Sequence, residues 1–208
     1  MKHNINIGIA GNIGVGKTTL TEMIARDLIL EPIYESVIDN PYLSDFYDNM
    51  SRWSFNLQMY FLYTRFSSQI KYFEKGKSFI QDRTIYEDKE IFATNLYELG
   101  HMSDRDYQTY CNLFNAMAEF IKKPDLIIYL KASTDTLMSR INNRQRSYEA
   151  EISSEYIHSL NIYYNKWIAK IESTKVLVIQ TDDFNIFKDI KAYENIISLV
   201  KKKLYEKK

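Results

Sequence analysis

Cysteine is almost missing: Cys111 is the one thiol among 208 residues. An intramolecular disulfide is therefore excluded, as is a zinc site built on clustered cysteines, which fits a reducing, cytoplasmic setting. No apolar run approaches the roughly 18 residues that a membrane span needs. Neither sign of charge is in excess, since Lys+Arg and Asp+Glu both total 27, so the balance gives no argument for a nucleic-acid partner. The N-terminus does not read as a signal peptide. Repeats, low-complexity blocks and linkers are absent too, and one domain over residues 1–208 is the expectation. Aromatics, by contrast, are plentiful, with 17 Tyr and 11 Phe. Many fall between 42 and 73, where most are expected to pack helices and core.

Residues 5–20 read Ile-Asn-Ile-Gly-Ile-Ala-Gly-Asn-Ile-Gly-Val-Gly-Lys-Thr-Thr-Leu. Gly11, Gly16, Lys17 and Thr18 complete the pattern G-x-x-x-x-G-K-[ST] of a phosphate-binding P-loop. Glycines at 11, 14 and 16 let the backbone curl so that successive N–H groups face one anion, and the following helix adds its positive end. The loop from Gly11 through Asn12, Ile13, Gly14, Val15 and Gly16 to Lys17, Thr18 and Thr19 is thus the candidate nucleotide cradle. Lys17 can reach the β- and γ-phosphates, and the Thr18 hydroxyl can ligate Mg²⁺. The context agrees: Ile5, Ile7 and Ile9 make a β-branched strand, and Leu20, Ile24 and Leu28 space out a helix.

Further along, residues 31–37 predict a short strand ending near Glu35, whose carboxylate would sit beside the phosphates at the carboxyl edge of a parallel sheet. Asn40-Pro41 marks a turn. Two helices follow to about Phe73, broken near 48–51, the second with Trp53, Leu57, Tyr60, Phe61 and Thr64 at helical spacing and Gln58 and Arg65 one residue off that stripe. Residues 78–83 read as a buried strand ending on Asp82, the usual place for an acid that holds Mg²⁺ or its waters. Two helices separated around Gly100 occupy 86–121, and Leu126–Leu130 is a strand. Ser133 or Thr134 can cap the next helix, which carries Arg140 and Arg144 on one face and runs on to Arg146. A long helix over 154–172, a strand over 176–179 and a helix from about Ile186 to Leu204 complete the chain. Strands alternating with helices predict a doubly wound α/β fold around a parallel sheet of about five strands, with strand order left open.

With these segments in order, the sequence resembles the deoxynucleoside kinases that act on deoxycytidine, deoxyguanosine and deoxyadenosine. The resemblance spans roughly residues 5–185. It is carried by the P-loop, the Glu35-Ser36-Val37 segment (Glu-Pro-Val in most of the family), Arg52-Trp53-Ser54-Phe55 with Gln58, Asp82-Arg83-Thr84, and the arginines at 140–146. It implies transfer of the γ-phosphate of ATP to the 5′-hydroxyl of a deoxynucleoside, with Mg²⁺, by a homodimer. By the same resemblance Glu35 is the general base and Asp82 holds Mg²⁺ with Thr18, while Arg83 steadies Glu35 and the transferring phosphoryl group. Arg140, Arg144 and Arg146 form a lid at about 140–150. Gln58 reads the base, Tyr47 and Glu149 hold the 3′-hydroxyl, and Phe92 stacks on the base. Arg65 and Asp88 match the pair found in members that accept deoxycytidine and purines. The overall look of short bacterial-type members favours deoxyadenosine, although Phe61 stands where deoxycytidine kinases carry a small residue.

Two rivals bear on these residues. A nucleoside monophosphate kinase shares the P-loop and lid, but its phosphorylated acceptor calls for an arginine clamp, not for Glu35 with Gln58. A non-catalytic nucleotide-binding member would be expected to lose Lys17, Glu35 or Asp82, and all three are present.

Overall fold

The computed structural model describes residues 4–35, 40–149, 151–183 and 189–206. Five strands form one sheet: β1 (Asn6–Gly11), β2 (Glu31–Ile33), β3 (Phe79–Asp82), β4 (Leu126–Lys131) and β5 (Lys175–Gln180). Their order is β2-β3-β1-β4-β5, and every neighbouring pair is parallel. All residues of β1 and β3 are buried, as expected of central parallel strands covered on both faces. The chain leaves β1 toward β2 and leaves β3 in the other direction toward β4. Open α/β sheets bind ligands at such a reversal, outside the carboxyl ends of the strands. Register places Asp82 beside Ile9 and Leu130 beside Gly11, so the ends of β1, β3 and β4 face one crevice.

The helices are α1 (Lys17–Leu28), α2 (Leu43–Asp48), α3 (Met50–Glu74), α4 (Ile85–Glu87), α5 (Thr94–Glu98), α6 (Asp104–Ala118), α7 (Thr134–Arg144), α8 (Ser154–Lys170) and α9 (Ile190–Tyr205). Several boundaries have visible causes. Asn49, between α2 and α3, accepts the backbone N–H of Arg52, and Ser133 caps α7 by accepting that of Thr136. Gly100, at φ 76°, breaks the chain before α6.

Four expectations need correction. The strand predicted to end near Glu35 stops at Ile33. Its ladder partner Gln81 lies one residue before the end of β3, and Arg83 then turns off at a positive φ of 73°, so Glu35 has no strand to pair with. Residues 36 and 37 of the Glu35-Ser36-Val37 segment lie outside the described residues. The last helix begins at Ile190, because Asp189 caps it through the N–H of Ala192; residues 186–188 lie outside the described ones. The first helix of the 86–121 stretch widens into a π-helical turn over Asp88–Ala93 between α4 and α5, a feature that recurs at functional sites. Finally, α3 buries Ser54, Leu57, Gln58, Leu62, Arg65 and Gln69. Its fully buried face is largely polar and takes only Leu57 from the predicted stripe, while Trp53 and Phe61 pack half-buried against the core.

Candidate active site

The phosphate end is made mostly of backbone. At Gly14, φ is 83°, and a Cβ would stand 2.9 Å from Ile141 Cγ1 and 3.2 Å from the Leu137 carbonyl oxygen. Gly16 caps α1 at φ 101° with open space around it, so conformation alone calls for glycine there. Asn12 fastens the loop from below. Its amide donates to the Ile157 carbonyl at 2.9 Å and to Asn161 Oδ1 at 2.8 Å, and its own Oδ1 accepts the N–H of Ile13 at 2.7 Å. Lys17 folds back over the loop, its ammonium 3.1 Å from the Asn12 carbonyl. Burial, reinforced by nearby Arg83, lowers its pKa to about 8 against the pull of Asp82, Glu35 and Glu87. A buried cation with one carbonyl partner gains much from an arriving polyphosphate.

Thr18 donates its hydroxyl to Asp82 Oδ2, while Asp82 Oδ1 is buried without a hydrogen-bond partner. A hydroxyl beside an orphaned carboxylate oxygen is an all-oxygen donor set that suits Mg²⁺. Among the described residues no group of three or more His, Cys, Asp or Glu could hold a metal ion. An ion here would thus draw its remaining ligands from phosphate and water, as Mg²⁺ commonly does.

In the middle of the cleft two arginines converge on one carboxylate oxygen. Arg83 Nε and Arg65 Nη2 each lie 3.0 Å from Glu35 Oε1. Burial would raise the Glu35 pKa, but Arg83, Arg65 and Lys17 together outweigh it and hold the group at about 2. Arg65 spends all five N–H groups on the protein. Nε and Nη2 fork onto Asp88 at 2.7 and 3.2 Å, and Nη2 also reaches Glu35. Nη1 donates to the carbonyls of Asp82 and Arg83, both at 3.2 Å. The left-handed backbone of Arg83 costs about 1–3 kcal/mol in a non-glycine residue, and these bonds help to hold it. Its guanidinium lies 4.4 Å from the ring centroid of Phe92.

The nucleoside end is made of side chains. Gln58 is 2 % exposed, and its Oε1 is buried without a partner. Tyr47 meets Phe46 edge-on at 5.1 Å. Burial pushes its hydroxyl well up, helped by Tyr156 and Glu149. Glu149 is gripped by Arg144 through Nε and Nη2, with Arg146 Nη1 3.8 Å away. Arg140 instead turns to Thr181, donating to its Oγ1 at 3.1 Å and to its carbonyl, and to the Val15 carbonyl at 3.4 Å.

A cleft of about 940 Å³ runs from Gly14 and Lys17 past Glu35 to Gln58. Ile13, Val15, Gly16, Thr18 and Thr19 line its phosphate end, and Tyr47, Asp82, Arg83, Asp88, Phe92 and Glu149 line the rest, under Arg140, Arg144 and Arg146. Gly11, Asn12 and Arg65 are not on its wall; they support it from behind.

The sequence profile described as deoxynucleoside kinase matches residues 7–205. The chain belongs to the deoxynucleoside kinase family. This kinase is 40% identical over 199 residues to the deoxyadenosine/deoxycytidine kinase of Bacillus subtilis, covering 95% of this chain and 92% of that one. It is 35% identical over 210 residues to the deoxyguanosine kinase of Lactobacillus johnsonii, covering 96% and 92%. The deoxyadenosine kinase from M. mycoides, solved with dCMP and a flexible dCDP, has a similar structure. Its TM-score is 0.81 at 32% identity, covering 96% of this chain and 98% of that one. That protein has also been solved with dATP bound.

Sequence reasoning missed two buried residues that lie behind the cleft. Glu87 carries a legible sign, for Thr84-x-x-Glu87 is a capping box and the structure forms it. Tyr164 carries none: it lies on the buried face of α8 among other aromatics. Its hydroxyl nevertheless reaches the Gly11 carbonyl and Glu87 Oε1, each at 2.8 Å.

Proposed function

We propose that this kinase moves the γ-phosphate of ATP to the 5′-hydroxyl of deoxyadenosine, with deoxycytidine and deoxyguanosine as further acceptors. One observation carries the reading: Glu35 is fixed by Arg83 and Arg65 in a cleft whose two ends are Lys17 with Thr18 and Asp82, and Gln58 with Asp88. A deoxynucleoside held at Gln58 points its 5′ end toward the phosphates. The orphaned Gln58 Oε1 calls for a donor, and the adjacent amide N–H₂ for an acceptor. Adenine and cytosine both offer an exocyclic amine beside a ring acceptor, and Asp88 accepts a second amine hydrogen. Thymine presents a carbonyl there, which Asp88 repels; guanine presents one too, which ranks deoxyguanosine below deoxyadenosine and deoxycytidine among the acceptors. Phe92 supplies a face for the base, and Tyr47 and Glu149 the partners of the 3′-hydroxyl.

A carboxylate held near 2 is a weak base. Its work is then to orient the 5′-hydroxyl for in-line attack and to take the proton late, which a loose phosphoryl-transfer transition state permits. Lys17 and Arg83 hold charge against the β- and γ-phosphates, and Arg140, Arg144 and Arg146 form the lid that excludes water. Thr18 and Asp82 would hold Mg²⁺, which would supply positive charge against the β- and γ-phosphates. The whole of 1–208 serves as one kinase domain. We further propose a cytoplasmic homodimer joined through α3 and α6, where Tyr63, Phe73 and Leu113, with Phe120 just beyond α6, are exposed.

A turnover panel tests this. Purified kinase and Mg-ATP are offered deoxyadenosine, deoxyguanosine, deoxycytidine, thymidine and the matching monophosphates. Monophosphate appears first and fastest from deoxyadenosine; diphosphate formed only from monophosphates would favour the monophosphate-kinase reading, and no product with ATP still bound the non-catalytic one.

A further inference from the structure

We infer that Glu87 is a positioning residue for phosphoryl transfer: its buried carboxylate ties the start of the P-loop to the Arg83-Thr84 turn and so sets Arg83 against Glu35. The inference rests on the kinase reading above and adds a residue to it. Glu87 is wholly buried and is not on the wall of the cleft, so it acts through its neighbours. Oε1 accepts the Gly11 N–H at 3.3 Å and the Tyr164 hydroxyl at 2.8 Å, and lies 3.5 Å from Arg83 Nη1. Oε2 accepts the Thr84 N–H at 2.8 Å and the Thr84 hydroxyl at 3.3 Å. One side chain thus bridges the end of β1, the end of β3 and, through Tyr164, α8.

Why a carboxylate is needed follows from these partners. Each oxygen meets a backbone N–H, which can only donate. The amide of a glutamine has one acceptor end, so whichever way it turns it sets N–H₂ against Gly11 or against Thr84. Arg83 depends on the same bridge. Its Nη1 donates to the Tyr164 hydroxyl while its Nε holds Glu35. Its left-handed backbone is fastened on the upstream side by its N–H on the Ile9 carbonyl at 3.0 Å. The downstream side is fastened by Glu87 on Thr84. Loosening that side lets the guanidinium drift from the line between Glu35 and the phosphates, and displacements near 1 Å can cost about a hundredfold in rate.

The test compares E87Q and Y164F with the wild type at 25 °C, after thermal melts have shown each variant folded. For E87Q we expect kcat to fall about 10- to 100-fold, with KM for ATP and deoxyadenosine each within about threefold. Y164F, which keeps both backbone bonds of Glu87 and removes the hydroxyl that joins Glu87, Arg83 and the Gly11 carbonyl, is expected to lose about fivefold in kcat. The double variant should lose little more than E87Q, because the two act in one chain. Should E87Q not fold, Y164F decides by the same criterion. Wild-type kcat in either folded variant, or a loss lying wholly in KM for ATP, overturns the inference. A wild type that makes no monophosphate overturns the kinase reading itself, which is a different result from an active wild type with unaffected variants.

Discussion

The two ends of the cleft are built from different materials. At the phosphate end the cradle is a loop of one short stretch of chain, and the side chains of Lys17, Thr18, Asp82, Arg83 and Arg140 are added around it. At the nucleoside end the wall is drawn from α2, α3, the π-helical turn and the segment before α8, and every specific group is a side chain. A phosphate is the same in every nucleotide, so a fixed backbone suffices for it. Bases differ in donors and acceptors, and telling them apart needs groups that can be exchanged one at a time. Glu35 stands at the join, held by an arginine from β3's end and another from α3.

Substitutions along the cleft can break or sharpen that contrast. Lys17→Met removes the buried ammonium folded over the loop, and kcat is expected to fall on the order of a thousandfold for every acceptor alike. A loss that varied with the base would contradict the division of labour. Glu35→Gln comes next. A base held near 2 contributes at the low end of the usual range, so about a hundredfold in kcat is expected, with ATP affinity measured by calorimetry nearly unchanged. Equal loss of ATP binding would make Glu35 structural. Gln58→Leu should act only on the nucleoside: KM for deoxyadenosine rises about ten- to a hundredfold, the value of one lost buried pairing, and KM for ATP stays put. A raised KM for ATP would show the two ends to be coupled more tightly than their construction implies.

The same contrast explains what could be read in the sequence. The P-loop was legible because its chemistry is local, with glycines, lysine and threonine at fixed offsets, and the alternation of strands and helices gave the five-stranded parallel sheet. Gln58 and Arg65 stood one residue off the aromatic stripe of α3, and periodicity alone would have sent them to solvent. They are buried because that helix face meets the cleft at Gln58 and, at Arg65, the Asp88 carboxylate and two backbone carbonyls. Strand order was open, since it depends on which way each crossover returns. Tyr164 left no trace, for its role lies in a hydroxyl that meets Gly11, 153 residues away.

Acid pH offers the mildest probe of the join between the two ends. The Glu35 pKa is about 2 in the folded chain and about 4.3 in an unfolded one. A depressed folded pKa means that the unfolded state binds the proton first as pH falls. The stabilisation from its pairs with Arg83 and Arg65 is therefore full above about 4.3 and drains away as pH descends through about 2. Glu35→Gln has no such proton to bind. The gap in melting temperature between wild type and variant should accordingly be widest near neutrality and narrow steadily below about 4.3. In the wild type, turnover should show no titration of this carboxylate between pH 5 and 8. A melting gap that stayed constant down to pH 2.5 would mean that the arginines do not hold the charge of Glu35. The carboxylate would then be a conventional base, one that neither end of the cleft had tuned.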